Sequence, residues 1–163
     1  MTTYEQVYEW FYTLVEKDWE FFNYYRVTPE EAMKIAQDRA SRYLEEAVRT
    51  IIMKALPQVD FTQRSEDETG FAFDFTPQEA LLVPRLMHQY YLFREFSYLK
   101  TREVNFTSSE LKVFDPSNAR YSFDEQYRMV KEEVDQLLDD YKNTDRLTGK
   151  YRKFDPKKYD ITD

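Results

Sequence analysis

Thr76-Pro77-Gln78-Glu79-Ala80-Leu81-Leu82-Val83-Pro84-Arg85-Leu86-Met87 is the stretch that decides the fold. Its first four residues spell a helix start: a hydroxyl that caps, a proline at the first helical position, and an acid at the positive end of the dipole. The apolar run then continues through Tyr90, Tyr91, Phe93 and Phe96, with large side chains around nearly the whole circumference. Such a helix must be covered by others, so it predicts the buried centre of a helical bundle. Pro84 falls at about the second turn, where its missing N–H predicts a lost hydrogen bond or a kink.

Upstream, Thr28-Pro29-Glu30-Glu31 repeats the signal and fits a capping box. Ala32, Ile35, Ala36, Ala40, Tyr43, Leu44, Ala47, Ile51 and Ala55 then recur at helical spacing, and Pro57 predicts an end at about Leu56. The alanines permit a close approach between helices. An earlier stripe of Tyr4, Val7, Tyr8, Phe11, Leu14 and Val15 predicts a first helix. Trp10 and Tyr12 lie off that stripe. They are candidate partner-binding rings, unless a neighbouring helix of the same chain covers them. The link Phe21-Phe22-Asn23-Tyr24-Tyr25-Arg26-Val27 is too aromatic to be a free linker. In residues 58–75, Val59, Phe61, Phe71, Phe73 and Phe75 alternate with polar residues around an acidic turn that ends at Gly70, which predicts a β-hairpin.

Downstream, residues 100–116 read as an extended loop and the last helix runs from about Ser117 to Asn143. Pro116 sets its approach, and Ser117 or Asn118 is expected to cap it. Its stripe is Phe123, Tyr127, Val130, Val134, Leu137, Leu138 and Tyr141. Leu86 and Tyr90 are expected to meet Val134 and Leu137 in the core. Residues 144–163 have too few aliphatic side chains to fold alone. They form either a disordered end or an arm that orders on a partner, with Tyr151, Phe154 and Tyr159 as anchors and Arg152 and Lys153 meeting acidic groups. The expected architecture is therefore mainly α: a bundle of about four helices over 1–143, with a β-hairpin insertion and an extended C-terminal arm over 144–163.

With 163 residues the chain is the size of one domain, and a net charge of -8 disfavours general phosphate binding. Two glycines cannot supply a P-loop or a dinucleotide fingerprint. The absence of cysteine removes thiol chemistry and disulfides and fits a reducing compartment. No run approaches a membrane span or a signal peptide, so an intracellular soluble protein is expected. The single histidine, His88, sits in the most apolar helix, where packing or hydrogen bonding is the expected role. Glu45-Glu46, Glu132-Glu133 and Asp139-Asp140 are adjacent pairs that diverge around a helix and cannot converge on one substrate. The expectation is therefore no enzyme, with no catalytic, cofactor or metal residues. An aromatic share of 18% instead suits surfaces that become covered.

The run Glu110-Leu111-Lys112-Val113-Phe114-Asp115-Pro116-Ser117-Asn118 resembles the pattern before the last helix of the head–tail connector proteins of long-tailed bacteriophages, also called adaptor or head-completion proteins. The likeness spans roughly residues 20–143, and Thr76-Pro77-Gln78-Glu79 is similar to the start of that family's central helix. Asp115 stands where serine is common, Arg120 where leucine is usual, and Pro84 is foreign to the pattern. The resemblance implies a structural protein of the virion neck, made in the host cytoplasm. It implies a homo-oligomeric ring, usually twelvefold, beneath the portal protein. Such a ring extends the DNA channel, through which DNA passes without sequence-specific binding, and docks the next neck or tail protein. The alternative is a small intracellular helical regulator or adaptor, a monomer or dimer, using the same rings and the same arm.

Overall fold

A computed structural model describes residues 1–16, 21, 22, 24, 26–105 and 116–152, with backbone only for 99–105 and 116–122. Four helices follow in order: α1 (Tyr4–Val15), α2 (Pro29–Ala55), α3 (Pro77–Asn105) and α4 (Pro116–Asn143). The chain is mainly helical, as the periodicity predicts. Helix α3 packs against each of the other three and forms the centre. Among the described residues no helix is long and apolar enough to cross a membrane.

Local chemistry explains the boundaries. Thr3 and Gln6 form a capping box at α1, and Thr28 and Glu31 form one at α2. Helix α2 ends before Pro57, with Leu56 in the left-handed conformation at φ 47°. That conformation is usual for glycine and costs a leucine on the order of 1 kcal/mol. The Ala36–Ala40–Ala47 edge of α2 is fully buried, as a close helix approach requires. Pro84 is accommodated inside α3, its neighbours Leu82, Val83, Leu86 and Met87 all being buried.

Several expectations need correction. Helix α3 continues to Asn105, so the extended loop cannot begin at residue 100. It is not covered all round either: Leu81, Phe93 and Tyr98 remain about half exposed. Tyr90 points to α2, its hydroxyl 2.5 Å from Thr50 Oγ1, so the core against α4 is built from Leu86 and Val134 with Leu137 only half-buried. Helix α4 opens at Pro116, which puts Ser117 and Asn118 inside its first turn rather than at the cap.

The largest correction is the hairpin. Residues 58–75 form no strands; Arg64 pairs with Phe71 and Thr3 with Gly70 as single antiparallel bridges. The alternation does place Phe61, Phe71, Phe73 and Phe75 in one cluster, with centroids 4.8–6.0 Å apart. The backbone, however, is committed to a tight turn in which Asp67 accepts from Ser65 and Thr69. It is also committed to the N-terminal residues: Phe71 N donates to Thr2 O at 2.9 Å and Thr2 N donates to Phe73 O at 3.1 Å. Ring packing on α1, rather than a ladder, holds the segment. Gly70 is needed there, since a Cβ would lie 2.4 Å from Thr2 O.

Candidate functional site at the strap end of the bundle

Glu79, in the first turn of α3, is fully buried. Its backbone N–H donates to Thr76 Oγ1 at 3.3 Å, and its Oε2 accepts from Thr76 N at 2.8 Å, a further capping box. Oε1 accepts from Tyr141 Oη at 2.7 Å and from Arg146 Nε at 2.8 Å, while Arg146 Nη2 reaches Oε2 at 3.1 Å. The guanidinium thus grips the carboxylate in a two-pronged pair and donates also to Asp74 O at 2.6 Å. Its face lies 5.2 Å from the Phe73 ring centroid. Burial first, and then the bond to Glu79, push the Tyr141 hydroxyl well above the usual phenol range. The bond to Glu79 raises Arg146 as well.

Arg146 belongs to residues 144–152, which we call the strap because they fold back on the bundle. Asp145 accepts from Thr148 N and Oγ1 at 2.9 and 2.8 Å, and Gly149 at φ 64° closes the turn. Those bonds hold the Asp145 carboxyl below the usual range. Asp145 N donates to Lys150 O, Arg152 N donates to Asn143 O, and Thr144 bridges to Tyr151. Arg146 N donates to Gln58 Oε1 at 2.9 Å, which ties the strap to the end of α2. The seam against Ala55–Gln58 has no room for even a water molecule. The node is a fastening, not a pocket.

The outer side of this end is a surface. Met53, Leu56, Leu147 and Tyr151 are 80%, 69%, 86% and 69% exposed, too high for core residues in waiting. Lys54, Lys142, Lys150 and Arg152 of the same segments are exposed as well, and so are Asp139 and Asp140. Tyr151 Oη donates to Asp140 Oδ1 at 3.0 Å, which ties the ring to the end of α4.

The candidate rings of the sequence are placed in two ways. Tyr151 and Arg152 stand on this exposed end, whereas Lys153, Phe154 and Tyr159 lie outside the described residues. Trp10 and Tyr12 are half-buried within the chain. Trp10 lies 6.4 Å from Phe75, and Tyr12 packs on Phe11, Phe21 and Phe22. The Tyr12 hydroxyl is buried with no hydrogen-bond partner among the described residues, and burial pushes it up to about 12. His88 stacks on Tyr91 at 6.4 Å. Among the described residues no three His, Cys, Asp or Glu side chains gather as a metal would need. A groove of about 390 Å³ is lined by Arg42, Glu45 and Glu46 of α2 and by Arg94 of α3, a mixed lining with no single chemistry.

Sequence reasoning passed over Glu79, Tyr141 and Arg146 as a unit, because their partnership spans 62 and 67 positions. The available signal was Asp145-Arg146-Leu147-Thr148-Gly149, whose aspartate and glycine spell a turn and not a free tail. The chain matches no family model, no curated protein and no solved structure.

Proposed function

We propose that the chain is a head–tail connector of a long-tailed bacteriophage, a structural component of the virion neck. In this reading copies assemble as a ring under the portal protein, extend the DNA channel, and dock the next neck or tail protein. What carries it is the run Glu110–Asn118, whose likeness to the connector pattern is followed, as in that family, by the last helix; here α4 opens at Pro116. A mainly helical chain with an aromatic, cysteine-free composition supports the same reading. So does the charge of -8, because an acidic lumen repels phosphates and lets DNA slide without sticking.

The test is to mix purified protein with portal complexes and image the product by electron microscopy. An added ring of density coaxial with the portal is expected. Portal complexes that stay bare at saturating protein, with the helical chain folded by circular dichroism, would overturn the reading.

A further inference from the structure

Met53, Leu56, Leu147 and Tyr151 are exposed large apolar side chains that come from only two segments, the end of α2 and the strap. Leu56 lines the same seam as Arg152, so the two segments meet there. Single exposed apolar residues need no explanation, but a group of them at one end marks a surface that becomes covered. Charge does not choose the occupant, because Lys54, Lys142, Lys150 and Arg152 share these segments with exposed Asp139 and Asp140. The path of the chain does. Arg152 N donates to Asn143 O at 2.7 Å, and Tyr151 is bridged to Thr144, which fixes where the chain leaves the strap: at the end of α4, on the seam that Leu56 lines. The residues that follow, 153–163, carry three Lys and three Asp, hence no net charge, and their large apolar side chains are Phe154, Tyr159 and Ile161.

We propose that the strap end is a docking surface for the chain's own residues 153–163, a self-contact that any other occupant has to displace. Reach is no obstacle: Phe154 is two residues beyond Arg152, within about 7 Å, and the whole segment spans up to about 36 Å. The tether then decides the competition. It supplies an effective concentration on the order of millimolar, so a second copy at micromolar concentration would need a contact about a thousandfold stronger to take the same surface. The Arg146–Glu79 node holds the strap on the bundle, so the surface is formed before it is covered. Leu56 is a separate pointer. It keeps a large apolar side chain exposed in a left-handed conformation, at a position where glycine would be unstrained, and a contact above it accounts for that choice. Apolar side chains supply the attraction; the mixed charges on both sides leave no strong field to oppose it.

The absence of cysteine gives a clean test on the full chain. Met53→Cys supplies a single thiol at the surface, and its alkylation by a bulky maleimide is timed with and without Phe154→Ser, Tyr159→Ser and Ile161→Ser on the same chain. The thiol should react about tenfold more slowly in the chain that keeps its apolar segment, which corresponds to a covered population of about nine in ten. Leu56→Asp, which removes the apolar centre from the other side of the contact, should release the thiol as the triple substitution does. Gln37→Cys, exposed on α2 and about 24 Å along the helix from Met53, is the control and should react at one rate in every background. Circular dichroism establishes that each variant is folded. Equal rates at Met53→Cys in all backgrounds, or equal protection at Gln37→Cys, would overturn the proposal. Protection that grows with protein concentration would overturn it too, by giving the surface to a second copy. The proposal goes beyond the connector reading and does not rest on it: the readout needs no portal, so a protected thiol beside bare portal complexes would retire that reading while leaving this contact standing.

Discussion

Two helix starts with nearly the same spelling do different work in this molecule. Thr28-Pro29-Glu30-Glu31 opens α2 at the surface, where Glu31 is exposed and its carboxylate, among the described residues, serves Thr28 alone, accepting from its N and Oγ1 at 2.9 and 3.2 Å. Thr76-Pro77-Gln78-Glu79 opens α3 beneath the strap, and the equivalent Glu79 is fully buried and shared with Tyr141 and Arg146. Local sequence specifies the cap in both cases. Whether the capping acid also becomes a tertiary anchor depends on what the rest of the chain brings to it.

The largest contrast is expected from removing each acid. Glu79→Ala leaves Arg146, whose side chain is only 13% exposed, without its carboxylate. Breaking a buried pair in this way costs about 3 kcal/mol or somewhat more, which for a chain of this size lowers the thermal midpoint by roughly 10 °C. Glu31→Ala removes the two exposed bonds from Thr28 N and Oγ1 and should cost about 0.5 kcal/mol. Thermal melts of the two variants measure the difference directly; equal shifts would mean that the strap is not fastened through Glu79.

A double-mutant cycle sharpens the point. Arg146→Met alone strands the buried carboxylate, but combining it with Glu79→Gln removes both charges together. The double variant should therefore be less destabilised than the sum of the singles by about 1–3 kcal/mol. Additive losses in denaturant titrations would assign the two residues to separate jobs.

Next in size is Tyr141→Phe, which deletes a hydrogen bond to a carboxylate and should cost about 1.5 kcal/mol. Its pH signature has a definite sign. The folded state raises the phenol above its unfolded value near 10, so the contribution is present in full below pH 10 and is lost as pH climbs toward the folded value. Alkaline unfolding should therefore be less steep above pH 10 in the variant. Tyr12 adds to the same limb, between the ordinary value and about 12. Tyr12→Phe is the smallest effect: its hydroxyl has no partner among the described residues, so midpoint stability at pH 7 should change by less than about 0.5 kcal/mol.

Much of the bundle was legible because helix signals are short-range. The Thr28–Glu31 and Thr76–Glu79 caps, the alanine edge of α2 and its stop before Pro57 all lie within a few residues of what they control. The hairpin was misread because alternation of Phe71, Phe73 and Phe75 reports which side the rings face. It does not report whether a partner strand is long enough to make a ladder. The strap was read as the start of an arm on its low aliphatic content. Its anchorage is electrostatic, one guanidinium on one buried carboxylate, and no hydrophobic pattern records that. Trp10 and Tyr12 looked external because a stripe on α1 cannot anticipate the irregular segments 21–22 and 61–75 that pack beside it.

The strap also bears on the order in which the molecule opens. Arg146 and Glu79 are 67 residues apart, so the closing of their ion pair must wait for α3 and α4 to be packed together. A contact that closes that late is expected to be missing from the folding transition state, so that its strength sets how fast the native state is left rather than how fast it is reached. In that case the node is a brake on unfolding, and Glu79→Ala should raise the unfolding rate while leaving the folding rate nearly unchanged.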